Sequence, residues 1–321
     1  MLASLYTLAA EGSPVAHVVQ HPFFSVNVGG TNWWVWTAHT GNLVLTMVIM
    51  LIAFPWLAKK IATGHESEGN RRYITTNPLA HMVEVIYLYL RDKTARPLLG
   101  ERTERFMPFL ATIFFFILVN NLLGLIPILD MILLAVPKWR AEHRAPLGGT
   151  ATQNLMVTGA LAAISFVVIN VAGLRELGVK GYAKHLTGGA PVYLWPLLIL
   201  IEVAGTFIKP VALALRLFAN MTAGHILLAT LFMFTGMAWS AGVGVWAPVT
   251  VVSVISAIAI YFLELFVAFL QAFVFMFLTT VFISQLSHHG EHGHGDEHGH
   301  DHAHDKAPGG GGHGHAAPAH A

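Results

Sequence analysis

The sequence predicts an all-α, polytopic membrane protein with about five spanning helices, and three observations carry that expectation. Of its 321 residues, 55% are hydrophobic and 11% are charged, with a mean hydropathy of +0.61. That balance describes a chain immersed in lipid rather than a soluble globule. Five regions, near 41–58, 106–127, 152–173, 193–234 and 244–284, are long and apolar enough to cross roughly 30 Å of hydrocarbon as helices. Lysine and arginine are also unevenly shared among the connecting segments, as they are when a chain has an inside and an outside.

Taken in order, residues 1–40 form an extracytoplasmic segment with no lysine or arginine. It begins with an apolar stretch but lacks a basic leading region, which argues against a cleaved signal peptide. The first span contains Pro55 and ends at Lys59 and Lys60, the pattern of a helix leaving the bilayer into a basic interface. Beyond it, Leu79, Met82, Val83, Val85, Ile86 and Leu90 recur at helical spacing beside Glu84, Arg91 and Lys93. This pattern fits a helix lying in the cytoplasmic interface; a soluble loop helix packed on another subunit is the alternative. The last two regions run near 40 residues each, so at about 1.5 Å per residue they approach twice the hydrocarbon thickness. They must tilt, bend or divide, and Pro210 is where the first could divide.

The segments 59–105, 128–150, 174–192 and 235–243 carry nine, three, three and no basic residues, and the tail carries Lys306 alone. A five-span topology with the N-terminus outside and the C-terminus in the cytoplasm places thirteen inside and three outside. Lys209 and Arg216 are left within the membrane. After the membrane domain, 41–287, residues 288–321 hold eleven of the nineteen histidines among Gly, Asp and Glu. Such a tail cannot bury a core and is expected to be disordered and cytoplasmic. It is either a solvated low-complexity segment or a loose site for zinc, nickel or copper. His21, His39 and His81 read as interfacial histidines without chemistry. The absence of cysteine excludes disulfides, thiolate metal sites and a cysteine nucleophile.

Chemistry concentrates in the last two spans. Arg216 sits within ALALRLFANMTAGH, residues 212–225, and an intramembrane arginine costs roughly 2.5–3.5 kcal/mol on insertion scales. The same two spans contain Glu202, Lys209, Asn220, His225, Glu264 and Gln271, whereas the interiors of the first three hold no charged side chain. Ionisable residues confined to one helix pair suggest an ion path. Glu202, Lys209 and Arg216 are spaced by sevens and share a helix face; so do Glu264 and Gln271. Glu202 lies about 21 Å from Arg216 in one direction and His225 about 13.5 Å in the other. With Gln271 level with Arg216, Glu264 falls near the depth of His225. His225, nine residues from Arg216, points to the opposite face and must serve an outer path from between helices. Lys209 reads as a residue snorkelling to the headgroups. No acid in the chain is clearly placed to pair with Arg216.

LALRLFANMTAGH at 213–225 and FLELFVAFLQAFVFMFLTTVFIS at 262–284 resemble subunit a of the F-type ATP synthase membrane sector. The resemblance extends to KP at 209–210, NNLLGLIP at 120–127 and TATQNLMVT at 150–158. It implies that the two long C-terminal helices are tilted and pack against a ring of c subunits, and that Arg216 faces the ring carboxyls. Asn220 and Gln271 would match the family asparagine and glutamine beside that arginine, and Glu202 an acid lining the cytoplasmic path. His225 and Glu264 occupy two positions that many bacterial members fill in reverse order. The implied function is proton translocation through two half-channels that load and unload the ring carboxylates, driving rotation and ATP synthesis. The implied partners are c-ring subunits, peripheral-stalk b subunits, the remaining synthase and lipid in a bacterial inner membrane, with no nucleic acid. No GxxxxGK[ST] loop is present, so the chain is expected to be non-catalytic, with no cofactor or metal of its own and nucleotide chemistry left to partners. A proton-coupled or metal-exporting transporter and an assembly scaffold are the other classes. The transporter reading lacks the usual internal repeat.

Overall fold

A helix that is apolar on nearly all sides has lipid as its solvent, and the chain is built from such helices. The computed structural model describes residues 22–28, 31–61, 75, 77–126, 147–148, 150–187 and 191–288. The start of the chain, His21 and the His-rich tail beyond His288 lie outside the described residues.

The described chain opens on an antiparallel hairpin, β1 (Pro22–Val28) with β2 (Thr31–Thr37), in which Val28 pairs with Thr31. This hairpin is an addition to the all-α expectation. Its signal is the Gly29-Gly30 pair, a dipeptide suited to a two-residue hairpin turn, next to the aromatic and β-branched run at 31–37. Thr37 ends the strand and caps α1 (Ala38–Lys60) by accepting from Thr40 N at 3.2 Å. Lys59 and Lys60 occupy the last turn of α1, where cations complement the helix dipole.

The amphipathic segment forms α2 (Pro78–Tyr89), with Pro78 in the first turn and Asn77 Oδ1 accepting from Leu79 N and Ala80 N. It continues through a π-helical turn at Leu90–Ala95, α3 (Arg96–Leu99) and a 3-10 turn at Gly100–Arg102 into α4 (Thr103–Leu125). A short 3-10 turn, Ala151–Gln153, precedes α5 (Leu155–Thr187), which is kinked at Gly178. The two last helices are α6 (Trp195–Ser240) and α7 (Val243–His288), each of 46 residues. Pro210 lies inside α6 without dividing it, so the two-segment alternative falls away. Each of these helices is about 69 Å long.

Five helical stretches of the described chain are long and apolar enough to cross a membrane: Ala38–Lys60, Pro78–Leu125, Leu155–Val179, Trp195–Ser240 and Val243–Gln285. The packing centre lies between α4 and α7, where Met107, Leu110, Phe114 and Ile117 meet Phe275, Met276 and Ile283. α1 packs on α4, and α5, α6 and α7 all touch one another. Phe54 and Phe114 both meet Phe115 edge-on, at 4.9 and 5.1 Å between ring centroids.

One end of this bundle is clamped by polar ties. Arg102 donates to Glu176 at 2.9 Å, Ser284 Oγ donates to the Leu98 carbonyl at 2.7 Å, and Lys209 Nζ donates to Gln285 at 3.5 Å. The basic start of α4, the far part of α5 and the far end of α7 thus gather on one side. At the other end α6 turns into α7 through Ala241 and Gly242. Gly242 has φ +93 and donates to the Trp239 carbonyl at 3.4 Å. A β-branched residue is a strong outlier at that φ. Gly242→Val is therefore expected to destabilise the hairpin by roughly 1–3 kcal/mol, seen as a lowered thermal midpoint of the detergent-solubilised protein.

Candidate functional site

Arg216 stands on a face of α6 that is open along its length. Its side chain is exposed, and so are Ala212, Ala219 and Ala223, which flank it at one-turn intervals. These alanines leave a shallow strip on which another helix could approach closely, with bulkier Leu215 and Leu227 exposed beside it. Among the described residues Arg216 makes no hydrogen bond and no ion pair. An arginine among apolar side chains with no acid of its own is incomplete as it stands.

One turn beyond it, Asn220 Nδ2 donates to Gln271 Oε1 of α7 at 3.2 Å. The glutamine side chain thus engages the asparagine one turn along α6 rather than the arginine itself. Gln271 is 1% exposed, and its Nε2 has no partner among the described residues.

Further along α6, the Glu264 carboxyl of α7 rests against Gly224. A Cβ at Gly224 would lie 2.8 Å from Glu264 Cδ and 2.9 Å from its Cγ, and closer still to Oε1. Glycine is the residue that admits this approach. Glu264 is 4% exposed, and neither carboxyl oxygen has a hydrogen-bond partner among the described residues. The next residue, His225, turns away from the open face. Its Nε2 lies 2.9 Å from Thr150 Oγ1, at the start of the turn before α5. His39 also reaches this region. It lies in the first turn of α1 and is buried within the protein. His81, by contrast, is exposed and lies 3.7 Å from Glu84.

In the opposite direction along α6, Lys209 places its ammonium 5.1 Å over the Phe282 ring. Glu202 is half-buried one further step back, toward the end of the bundle tied by Arg102 and Glu176. Its field reaches Tyr182, in the part of α5 beyond the span. Burial first, and the Glu202 charge second, push the Tyr182 phenol above its ordinary value. The same hydroxyl donates to Asn170 Oδ1 at 2.6 Å.

The site residues thus fall into two groups on either side of Arg216, Glu202 in one and Asn220, Gln271, Glu264 and His225 in the other. Comparison with known families decides the lineage: residues 42–284 match the ATP synthase A chain family. The chain belongs to that family. A relative from Myxococcus xanthus, ATP synthase subunit a, is 41% identical over 80% of this chain and 76% of its own length. Subunit a from Chlorobium phaeobacteroides is 38% identical over 80% of this chain and 66% of its own. Subunit a from Chloroherpeton thalassium is 41% identical over 78% of this chain and 66% of its own. Within that family setting the protein is a multi-pass membrane subunit of ATP synthase, and the matched span includes all six site residues.

Several side chains around these six carry no local mark in the sequence. Thr150 and Asn121 stand in the stretches 150–158 and 120–127 that carry part of the family resemblance, but neither spacing nor charge gives them a role. Tyr182 lies in a polar stretch after an apolar span, and His39 sits at the edge of another. Each gains its neighbour only through tertiary packing.

Proposed function

We propose that the protein is the non-catalytic, proton-conducting subunit of an F-type ATP synthase in a bacterial inner membrane, with its N-terminus outside and its C-terminus in the cytoplasm. The observation that carries this reading is Arg216: a cation on an open strip of alanines, with no acid to pair with among the described residues. A rotor of c subunits, each bringing a carboxylate into mid-membrane, supplies the missing partner one copy at a time, and the alanines let it come close. The peripheral-stalk b subunits hold the chain against that rotor.

In this reading, protons enter from outside through the group formed by Glu264, His225, Asn220 and Gln271. A buried carboxyl with no hydrogen-bond donor on it and a neighbouring imidazole can exchange a proton without leaving a fixed charge in lipid. The proton passes to a rotor carboxylate, which as a neutral acid crosses the lipid-facing arc without the cost of an exposed charge. Near Glu202 it is released to the cytoplasmic side. Arg216 favours the ionised carboxylate as it passes and bars direct flow between the two groups.

The chain has no native cysteine, which makes the two-sided arrangement directly testable. Glu202→Cys and Glu264→Cys, each in the assembled synthase in sealed vesicles, are expected to react with a membrane-impermeant thiol reagent from opposite sides. Labelling of both from the same side would overturn the two half-paths. Glu202→Gln is expected to slow proton-driven ATP synthesis by about tenfold, less than the roughly 10²–10⁴-fold that a positioned acid or base contributes, because water at the exit can take the proton in its place. An unchanged rate would remove Glu202 from the path.

A further inference from the structure

Two stretches singled out in the sequence, NNLLGLIP and TATQNLMVT, hold no ionisable group, yet their observed parts interlock beside His225. Thr150, Ala151 and Thr152 are fully buried. Thr152 Oγ1 donates to Asn121 Oδ1 at 2.9 Å, and Asn121 Nδ2 donates in turn to the Ala268 carbonyl of α7 at 3.4 Å. Gln153 N closes the turn onto the Thr150 carbonyl at 2.9 Å. This fixes the backbone at Thr150 against α4 and α7, with its hydroxyl 2.9 Å from His225 Nε2.

The contact exists because of a second residue. A Cβ at Gly124 would lie 2.7 Å from Thr150 Cγ2 and nearer still to its Cβ and Oγ1. Any side chain at 124 would force Thr150 out of its place. The glycine of the first stretch is thus the clearance for the threonine of the second.

We propose that Thr150 is a positioning residue for His225, and that Gly124 is the gap that lets it act. This rests on the reading of His225 as part of the outer path. A relay histidine presents Nε2 as an acceptor in one state and as an N–H donor in another. A hydroxyl rotates to donate or to accept, so it holds the same ring in both states. Valine keeps the shape of threonine and can do neither; serine loses the methyl and can do both. A merely structural role would follow shape, whereas the proposed role follows the hydroxyl.

The test uses the whole synthase reconstituted into vesicles, with ATP synthesis driven by an imposed proton gradient and subunit content checked for each variant. Thr150→Val is expected to cut the rate by about fivefold or more, as for loss of one net hydrogen bond, while Thr150→Ser stays within about twofold of the parent. Gly124→Ala is expected to match Thr150→Val; if it does not assemble, the valine and serine pair decides alone. Valine at the parent rate, or serine as slow as valine, would overturn the positioning role. His225→Ala is run beside them. A loss there with valine at full rate leaves the outer path standing and removes only Thr150; full rate in both removes His225 from the path as well.

Discussion

Arg216→Ala should leave a synthase that assembles normally but makes little ATP from a proton gradient, with synthesis falling by about 10²-fold or more. The scale follows from removing one partner of a desolvated ion pair, typically about 3–5 kcal/mol. Assembly should survive because the side chain is exposed and makes no hydrogen bond or ion pair among the described residues, so the subunit itself loses nothing on truncation. The variant should also let protons leak through the membrane sector, since the barrier between the two groups of side chains is gone. Arg216→Lys separates charge from shape. Lysine keeps the cation but loses the planar fork and the permanence of the charge, so it should fall nearly as far. Synthesis driven by an imposed gradient, measured beside passive proton permeability, checks both. Retained coupling in the alanine variant would remove Arg216 from the mechanism and return the scaffold reading to consideration.

Gly224→Ala is expected to be the next most damaging small change, although it adds a single methyl. That methyl would occupy the space of the Glu264 carboxyl, which lies against the bare α-carbon. Overpacking of this kind costs about 1–3 kcal/mol and is relieved by displacing the side chain that can move. Displacing a group in a proton-transfer chain by about 1 Å can cost as much as 10²-fold in rate, so a loss of at least tenfold in proton-driven synthesis is expected. Glu264→Asp shortens the acid by one methylene and clears the space, so the double variant should recover part of the loss. A Gly224→Ala enzyme at the parent rate would mean that the observed seat of Glu264 does not matter. A double variant no better than Gly224→Ala would mean that the methyl acts on α6 rather than on the carboxyl.

The sequence made the helices legible because the signal for a span is local: an apolar window and its flanking charges. The lysines closing α1 mark its end for the same reason. It also made the intramembrane residues stand out one by one, since each is anomalous against its apolar neighbours. The pairing between helices was harder to see. Spacing by sevens places Glu264 and Gln271 on one face but does not say which side chain of α6 each one meets; Gln271 turns out to bond Asn220. Thr150 and His225 are 75 residues apart, and Thr152 and Asn121 are 31 apart. A neutral hydroxyl or amide in such a pair has no sequence neighbour to betray it. His39 stands at the edge of a span, and its burial comes from the packing of α1 on the bundle.

The unbroken length of α6 has a consequence for direction. A straight helix of about 69 Å held wholly within about 30 Å of hydrocarbon would lie closer to the membrane plane than to its normal, inclined by about 64°. Glu202 and His225, about 34 Å apart along such an axis, would then differ by only about 15 Å in depth but by about 31 Å sideways. Entrance and exit would stand side by side around the rim of a wheel, rather than one above the other. With Arg216 standing in the short gap between them, a proton would pass from one to the other only by being carried the long way round.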